Sequence, residues 1–179
     1  LGPMAAEKTL PAEDRWGLQN DLFALVRCGR ITLEDYTRFL NHYNNEVAYL
    51  PLTGIAANLR SAFGVLNENR RKAITELAVP WYEKILKRMG YGPDDKEKQT
   101  ISMLREQLIW DASLYGSDKV AEFACETFKA IMNGQAVHAD IIRSVMQVGA
   151  LNGGRDAFEW LDRQFQRSQV EHERLNILV

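Results

Sequence analysis

Apolar residues recur along this chain at intervals of three and four, the spacing of amphipathic helices, almost without interruption. Leu18, Leu22, Leu25 and Val26 form the first such face, and Gly29 follows where a helix end favours a left-handed residue. Thr32 with Asp35 resembles a capping box, with Asp in the place of the usual Glu. A second stripe runs Leu33, Tyr36, Leu40, Tyr43, and a third runs Ile55, Leu59, Ala62, Leu66 behind a first-turn Pro51. The fourth is Ile74, Leu77, Trp81, Ile85; Pro80 lies inside it and is expected to kink or divide the helix, since it cannot donate a backbone hydrogen bond. Asp94 and Asp95 suit the start of the next helix, whose stripe is Ile101, Leu104, Leu108, Ala112, closed by Gly116. Ser117 and Asp118 then cap Val120, Ala124, Phe128, Ile131, which end at Gly134. Ile141, Val145 and Val148 run to the Asn152-Gly153-Gly154 turn. Phe158, Leu161 and Phe165 form the last full stripe, and a further helix begins near Glu171.

The predicted starts fall near residues 12, 32, 51, 71, 96, 117, 138 and 154. Successive starts are roughly 20 residues apart, so a helix pair recurs about every 40, the period of HEAT and armadillo arrays. No segment alternates as a half-buried strand does. The expected fold is all-α: an α-solenoid of antiparallel helix pairs, with a compact bundle as the alternative. Leu1–Met4 read as the scar of a protease cleavage, which leaves 5–179 as one helical-repeat domain.

Composition narrows the chemistry. Of 179 residues 46% are hydrophobic and 26% charged, enough apolar material for a core, and the net charge of -2 gives no electrostatic footprint for nucleic acid. No run approaches the roughly 20 apolar residues of a membrane span, and no leader pattern opens the chain; a cytoplasmic location is expected. Three histidines and two cysteines leave little for a metal site or a nucleophile. The nearest string to a zinc helix, His172-Glu173-Arg174-Leu175-Asn176, has Asn where a second His is needed. His42 and His138 read as helix-end residues, and Cys28 and Cys125 as small apolar ones. Arg27 and Arg30 flank Cys28 but point to other faces, so a cysteine-dependent enzyme is the weakest reading. Arg70-Arg71-Lys72 reads as a solvated edge. Trp81, Trp110 and Trp160 read as core or groove residues, and Trp16 as one near an exposed edge.

A set of ordered landmarks goes further. Asp14-Arg15-Trp16-Gly17-Leu18-Gln19-Asn20-Asp21, then Phe23-Ala24-Leu25 and Gly29, resembles the start of the C-terminal helical domain of gluzincin aminopeptidases of the aminopeptidase N, puromycin-sensitive and endoplasmic-reticulum types. Glu46, Tyr49 and Pro51 resemble that family's Glu-x-x-Tyr-x-Pro segment, with Leu52 where Trp is usual. Tyr82, Leu86, Gly90 and Tyr91, then Leu104-Arg105 with Leu108, then Phe128, the Ile141–Val148 helix, Gly149, Gly153 and Trp160 continue in the same order from about residue 10 to the end.

The resemblance implies a parent enzyme that removes N-terminal residues from peptides. In that family zinc activates water and polarises the scissile carbonyl, a Glu is the general base, and acidic side chains hold the substrate's α-amino group. The zinc helix and the Gly-x-Met-Glu-Asn loop lie upstream of the matching region and are absent from this sequence. The chain is therefore expected to be a non-catalytic piece of a longer C-terminal domain, without a cofactor of its own, with zinc in the parent. It would cover the catalytic domain and limit peptide access, its partners being that domain and peptide substrates. Asp14, Arg15, Asp21, Glu46 and Arg105 are the candidate interdomain or peptide-facing residues. The alternative is a free-standing helical-repeat scaffold that binds a protein partner.

Overall fold

The computed structural model describes residues 1–94 and 96–177, with His172 described by its backbone alone. Every regular element among them is helical: α1 (Gly2–Ala6), α2 (Ala12–Arg27), α3 (Leu33–Leu40) with a 3-10 turn at Asn41–Tyr43, α4 (Tyr49–Val65), α5 (Glu68–Met89), α6 (Gln99–Leu114), α7 (Asp118–Met132), α8 (Ala139–Asn152), α9 (Gly154–Arg167) and α10 (Glu171–Ile177). The expected helix start at Asp95 and the terminal Leu178-Val179 lie outside the described residues, as does the side chain of His172.

Local chemistry sets the helix ends. The Thr32 side chain accepts from the Asp35 N–H at 3.1 Å and the Asp35 carboxylate accepts from the Thr32 N–H at 3.2 Å, completing the capping box of α3. At the end of α2 the Arg30 N–H returns to the Leu25 carbonyl and the Gly29 N–H to the Val26 carbonyl, with Gly29 at φ +68°, where a side chain would be strained. The same paired bonds close α6 at Gly116 and α7 at Gly134. Ser117 caps α7 by accepting from the Val120 N–H, and His138 caps α8 by accepting from the Asp140 N–H. Pro80 lies inside α5 and does not divide it; one missing hydrogen bond is outweighed by a helix face that buries Ile74, Ala78, Trp81, Tyr82, Ile85 and Leu86.

The described residues separate into two compact units, Leu1–Trp81 and Tyr82–Val179. In the first, α2 packs on α4 and α3 on α2. The core is Phe23, Tyr36, Leu40, Tyr43, Leu52, Ile55, Ala56, Leu59 and Ile74. Helix α4 approaches closely at Gly54, where a Cβ would stand 2.7 Å from Trp16 Nε1 and from Gln19 Nε2. In the second, α8 packs on α6 and α7 and also meets α9 and α10. Its core is Leu86, Leu104, Leu108, Ile109, Val120, Ala124, Phe128, Ile141, Val145, Val148 and Leu161.

Two stripes differ from expectation. The buried face of α2 is Arg15, Gln19 and Phe23, while Leu18, Leu22 and Val26 are half-buried and Leu25 is 42% exposed. In α9 the buried residues are Ala157 and Leu161, and Phe158 is 69% exposed. Apolar spacing locates a hydrophobic face; it does not reveal polar side chains that find buried partners elsewhere.

The tightest helix contact in the second unit is at Gly149 of α8. A Cβ there would lie 2.3 Å from Phe128 Cγ, and the Phe128 ring is itself held edge-on by Trp160 at a centroid distance of 5.5 Å. Gly149→Ala is therefore expected to destabilise the chain by about 1–3 kcal/mol through overpacking. Urea unfolding checks this, and Phe128→Leu in the same chain should recover part of the loss.

Candidate functional site

Arg15 and Glu46 come from the start of α2 and the extended segment before α4, and they form a buried two-pronged ion pair. Arg15 Nε donates to Glu46 Oε2 at 2.6 Å and Nη2 to Oε1 at 2.9 Å, with side chains 7% and 1% exposed. Arg15 Nη1 also donates to the Leu10 carbonyl at 2.6 Å. The Glu46 carboxylate accepts the N–H groups of Val47 and Ala48 at 2.8 and 2.9 Å, so it organises the entry into α4. Burial pushes the Glu46 carboxyl up, but the hydrogen bond from Arg15 and those two backbone donors outweigh it and hold it below the ordinary value. The Tyr43 hydroxyl donates to the Arg15 carbonyl at 2.7 Å, and burial pushes that phenol up to about 12. Beside the pair, the Gln19 carbonyl oxygen accepts from Tyr36 at 2.7 Å and from Asn58 at 2.8 Å, which accounts for a fully buried Gln on α2.

The second unit also buries an arginine, Arg105. It is fully buried on α6. Its Nε donates to the Gly90 carbonyl at 2.8 Å and Nη2 to the Met89 carbonyl at 3.1 Å, satisfying the end of α5. Nη2 also donates to Glu97 Oε2 at 2.6 Å and Nη1 to Glu97 Oε1. The hydrogen bond from Arg105 is the main reason the Glu97 carboxyl is lowered to about 2, against a smaller desolvation effect and with help from Ser102. Glu97 carries no apolar periodicity and lies outside the helices, so the sequence reading did not find it.

Asp14 and Asp21 are exposed on α2 and take part in neither ion pair. They line an open groove of about 480 Å³ with Glu13, Trp16, Leu18 and Leu50. The two carboxylates share α2, which the apolar spacing predicts, whereas Leu50 reaches the groove from α4, which only the tertiary packing decides. A second hollow of about 430 Å³ in the Tyr82–Val179 unit is lined by Ile142, Met146 and Trp160 among others. A third, of about 310 Å³, is lined by Cys125, Phe128 and Lys129 among others. The proposed sites thus divide into three buried residues with internal partners and two exposed acids.

The described residues do not fit a zinc ion, because no three or more His, Cys, Asp or Glu side chains gather as ligands among them. His42 packs its ring 5.4 Å from that of Phe39, and His138 caps α8. Cys28 is exposed at the C-cap of α2, contrary to the expectation of a small buried residue. Arg71 stacks over Phe63 at 4.5 Å and Lys72 pairs with Glu76 at 3.6 Å, so the basic run is engaged locally. No helix among the described residues is long and apolar enough to cross a membrane.

A family model described as the ERAP1-like C-terminal domain matches residues 1–179. Among characterised proteins the chain is similar to the puromycin-sensitive aminopeptidase of Caenorhabditis elegans, at 24% identity over 89% of this chain and 17% of that protein. It is similar to aminopeptidase M1 of Arabidopsis thaliana at 23% identity, over 96% of this chain and 20% of that protein. The alanine/arginine aminopeptidase of Saccharomyces cerevisiae is 23% identical over 93% of this chain and 20% of its own length. The chain thus spans about a fifth or less of the length of these relatives.

Proposed function

Because the chain belongs to the ERAP1-like C-terminal domain family, we propose that it is the non-catalytic helical domain of a zinc-dependent aminopeptidase, that it covers the catalytic domain, and that it limits which peptides enter. The match of all 179 residues to that family is the observation that carries the reading. Zinc and the groups that activate water belong, on this reading, to the catalytic domain of the parent chain. The helices are proposed to stack as HEAT- or armadillo-like antiparallel pairs. Packing of α2 on α4 and of α6 on α8, next-but-one helices in each case, supports that arrangement within each unit.

The test uses this chain and the catalytic portion of its parent. The chain alone is expected to release no product from an aminoacyl reporter, with or without added zinc. Added to the catalytic portion, it should co-sediment with it and lower turnover of long peptides relative to the short reporter. Chelator-sensitive turnover by the chain alone, surviving repurification, would overturn the non-catalytic role. Failure to associate would overturn the covering role and return the chain to a free-standing scaffold.

A further inference from the structure

Helix α2 buries two polar residues beside Phe23 and leaves part of its apolar stripe at the surface. Its buried face holds Arg15 and Gln19, satisfied by Glu46, Tyr36 and Asn58. On the opposite side Asp14, Leu18, Asp21 and Leu25 follow one another at four, three and four residues, so they share one strip of the helix surface. Asp14, Asp21 and Leu25 are exposed and Leu18 is half-buried. Trp16 and Leu50, 40% and 36% exposed, border the groove that Asp14, Leu18 and Asp21 line. A solvent-facing helix strip of this kind normally carries mixed charges. Here it alternates acids with leucines, and neither Asp14 nor Asp21 enters any ion pair among the described residues.

We propose that this strip is a docking surface for a basic amphipathic protein helix in which cations two turns apart alternate with apolar side chains. Charge decides the occupant. A second copy of the chain would bring Asp14 and Asp21 against their own equivalents. Arg27, the other cation of α2 besides buried Arg15, falls on the far side of the helix. Self-pairing would therefore juxtapose like charges without relief. An anionic lipid surface or nucleic acid meets the same repulsion. A partner helix with Lys or Arg facing Asp14 and Asp21, and Leu or Met filling the groove beside Trp16 and Leu50, satisfies both the charge and the apolar area. Resting on the proposed function, that helix belongs to the catalytic portion of the parent chain.

Two binding measurements test the surface. The first uses a synthetic amphipathic helix with lysines two turns apart and leucines between them. The second uses the catalytic portion itself. The double variant Asp14→Lys/Asp21→Lys is expected to weaken both interactions about tenfold or more, while a peptide with Glu in place of Lys should bind this variant and not the original chain. Leu18→Ser/Leu25→Ser should weaken both interactions at unchanged salt dependence. If the catalytic portion binds and neither double variant weakens it, the surface is wrong and the proposed function stands. If the catalytic portion does not bind but the lysine peptide does, with the expected charge swap, the surface stands and the proposed function fails. Loss of neither interaction in either variant, or no peptide binding at all, overturns the inference.

Discussion

Arg15→Ala is expected to destabilise the chain by about 3–5 kcal/mol, the typical cost of removing one partner from a buried ion pair. The loss comes from Glu46, a buried carboxylate that would lose the guanidinium spanning both of its oxygens. Arg15→Lys should recover only part, because an ammonium cannot span both carboxylate oxygens as the guanidinium does. The double variant Arg15→Met/Glu46→Leu removes both charges and should recover most of the loss. It should remain about 1 kcal/mol below the original, because the entry into α4 loses its carboxylate acceptor. Urea unfolding followed by circular dichroism reads all three. If Arg15→Ala costs less than about 1 kcal/mol, the pair contributes no more than an exposed one.

The second large effect concerns Glu97 and Arg105, and it carries a pH signature. Glu97→Gln is expected to cost about 3 kcal/mol near pH 7, because fully buried Arg105 then lacks its counter-charge. The Glu97 carboxyl is lowered from 4.5 to about 2. A carboxylate with a lowered value in the folded state binds protons more readily when unfolded, so its contribution is complete above the unfolded value and fades as pH falls. The difference between the original chain and Glu97→Gln should therefore be constant above pH 4.5 and shrink as pH approaches 2. A difference independent of pH across that window would remove the ion pair as the cause. Arg105→Ala should be costlier than Glu97→Gln, since the Met89 and Gly90 carbonyls also lose their donor.

The helices themselves were legible because their signals are local. The capping box of Thr32 and Asp35 lies within three residues, as does the Ser117 cap, and the glycine closures need only the preceding turn. Pro80 misleads for the same reason: its local cost is real, but it lies on the exposed side of α5, whose other face buries Trp81 and Ile85 and keeps the helix whole. Helix α1 is too short to carry an apolar stripe of its own, and its packing is a tertiary matter: a Cβ at Gly2 would meet His42 Nε2 at 2.4 Å. The candidate residues were legible only in part. Arg15, Glu46 and Arg105 stood out through ordered landmarks, yet nothing in apolar spacing indicated that Arg15 and Glu46 meet or that Glu97 receives Arg105.

The sequence by itself determined that the chain is helical, nearly where each helix starts and stops, and which family's landmarks it carries. Those features depend on contacts within a turn or two, which the order of residues specifies directly. The tertiary structure decided which side of α2 faces inward. Its apolar stripe predicted Leu18 and Leu25, but Arg15 finds a carboxylate 31 residues away and Gln19 finds Asn58 39 residues away. Buried polar groups are stable only when such distant partners arrive together. That condition is a property of the folded arrangement, and it leaves Asp14, Asp21 and Leu25 of α2 exposed.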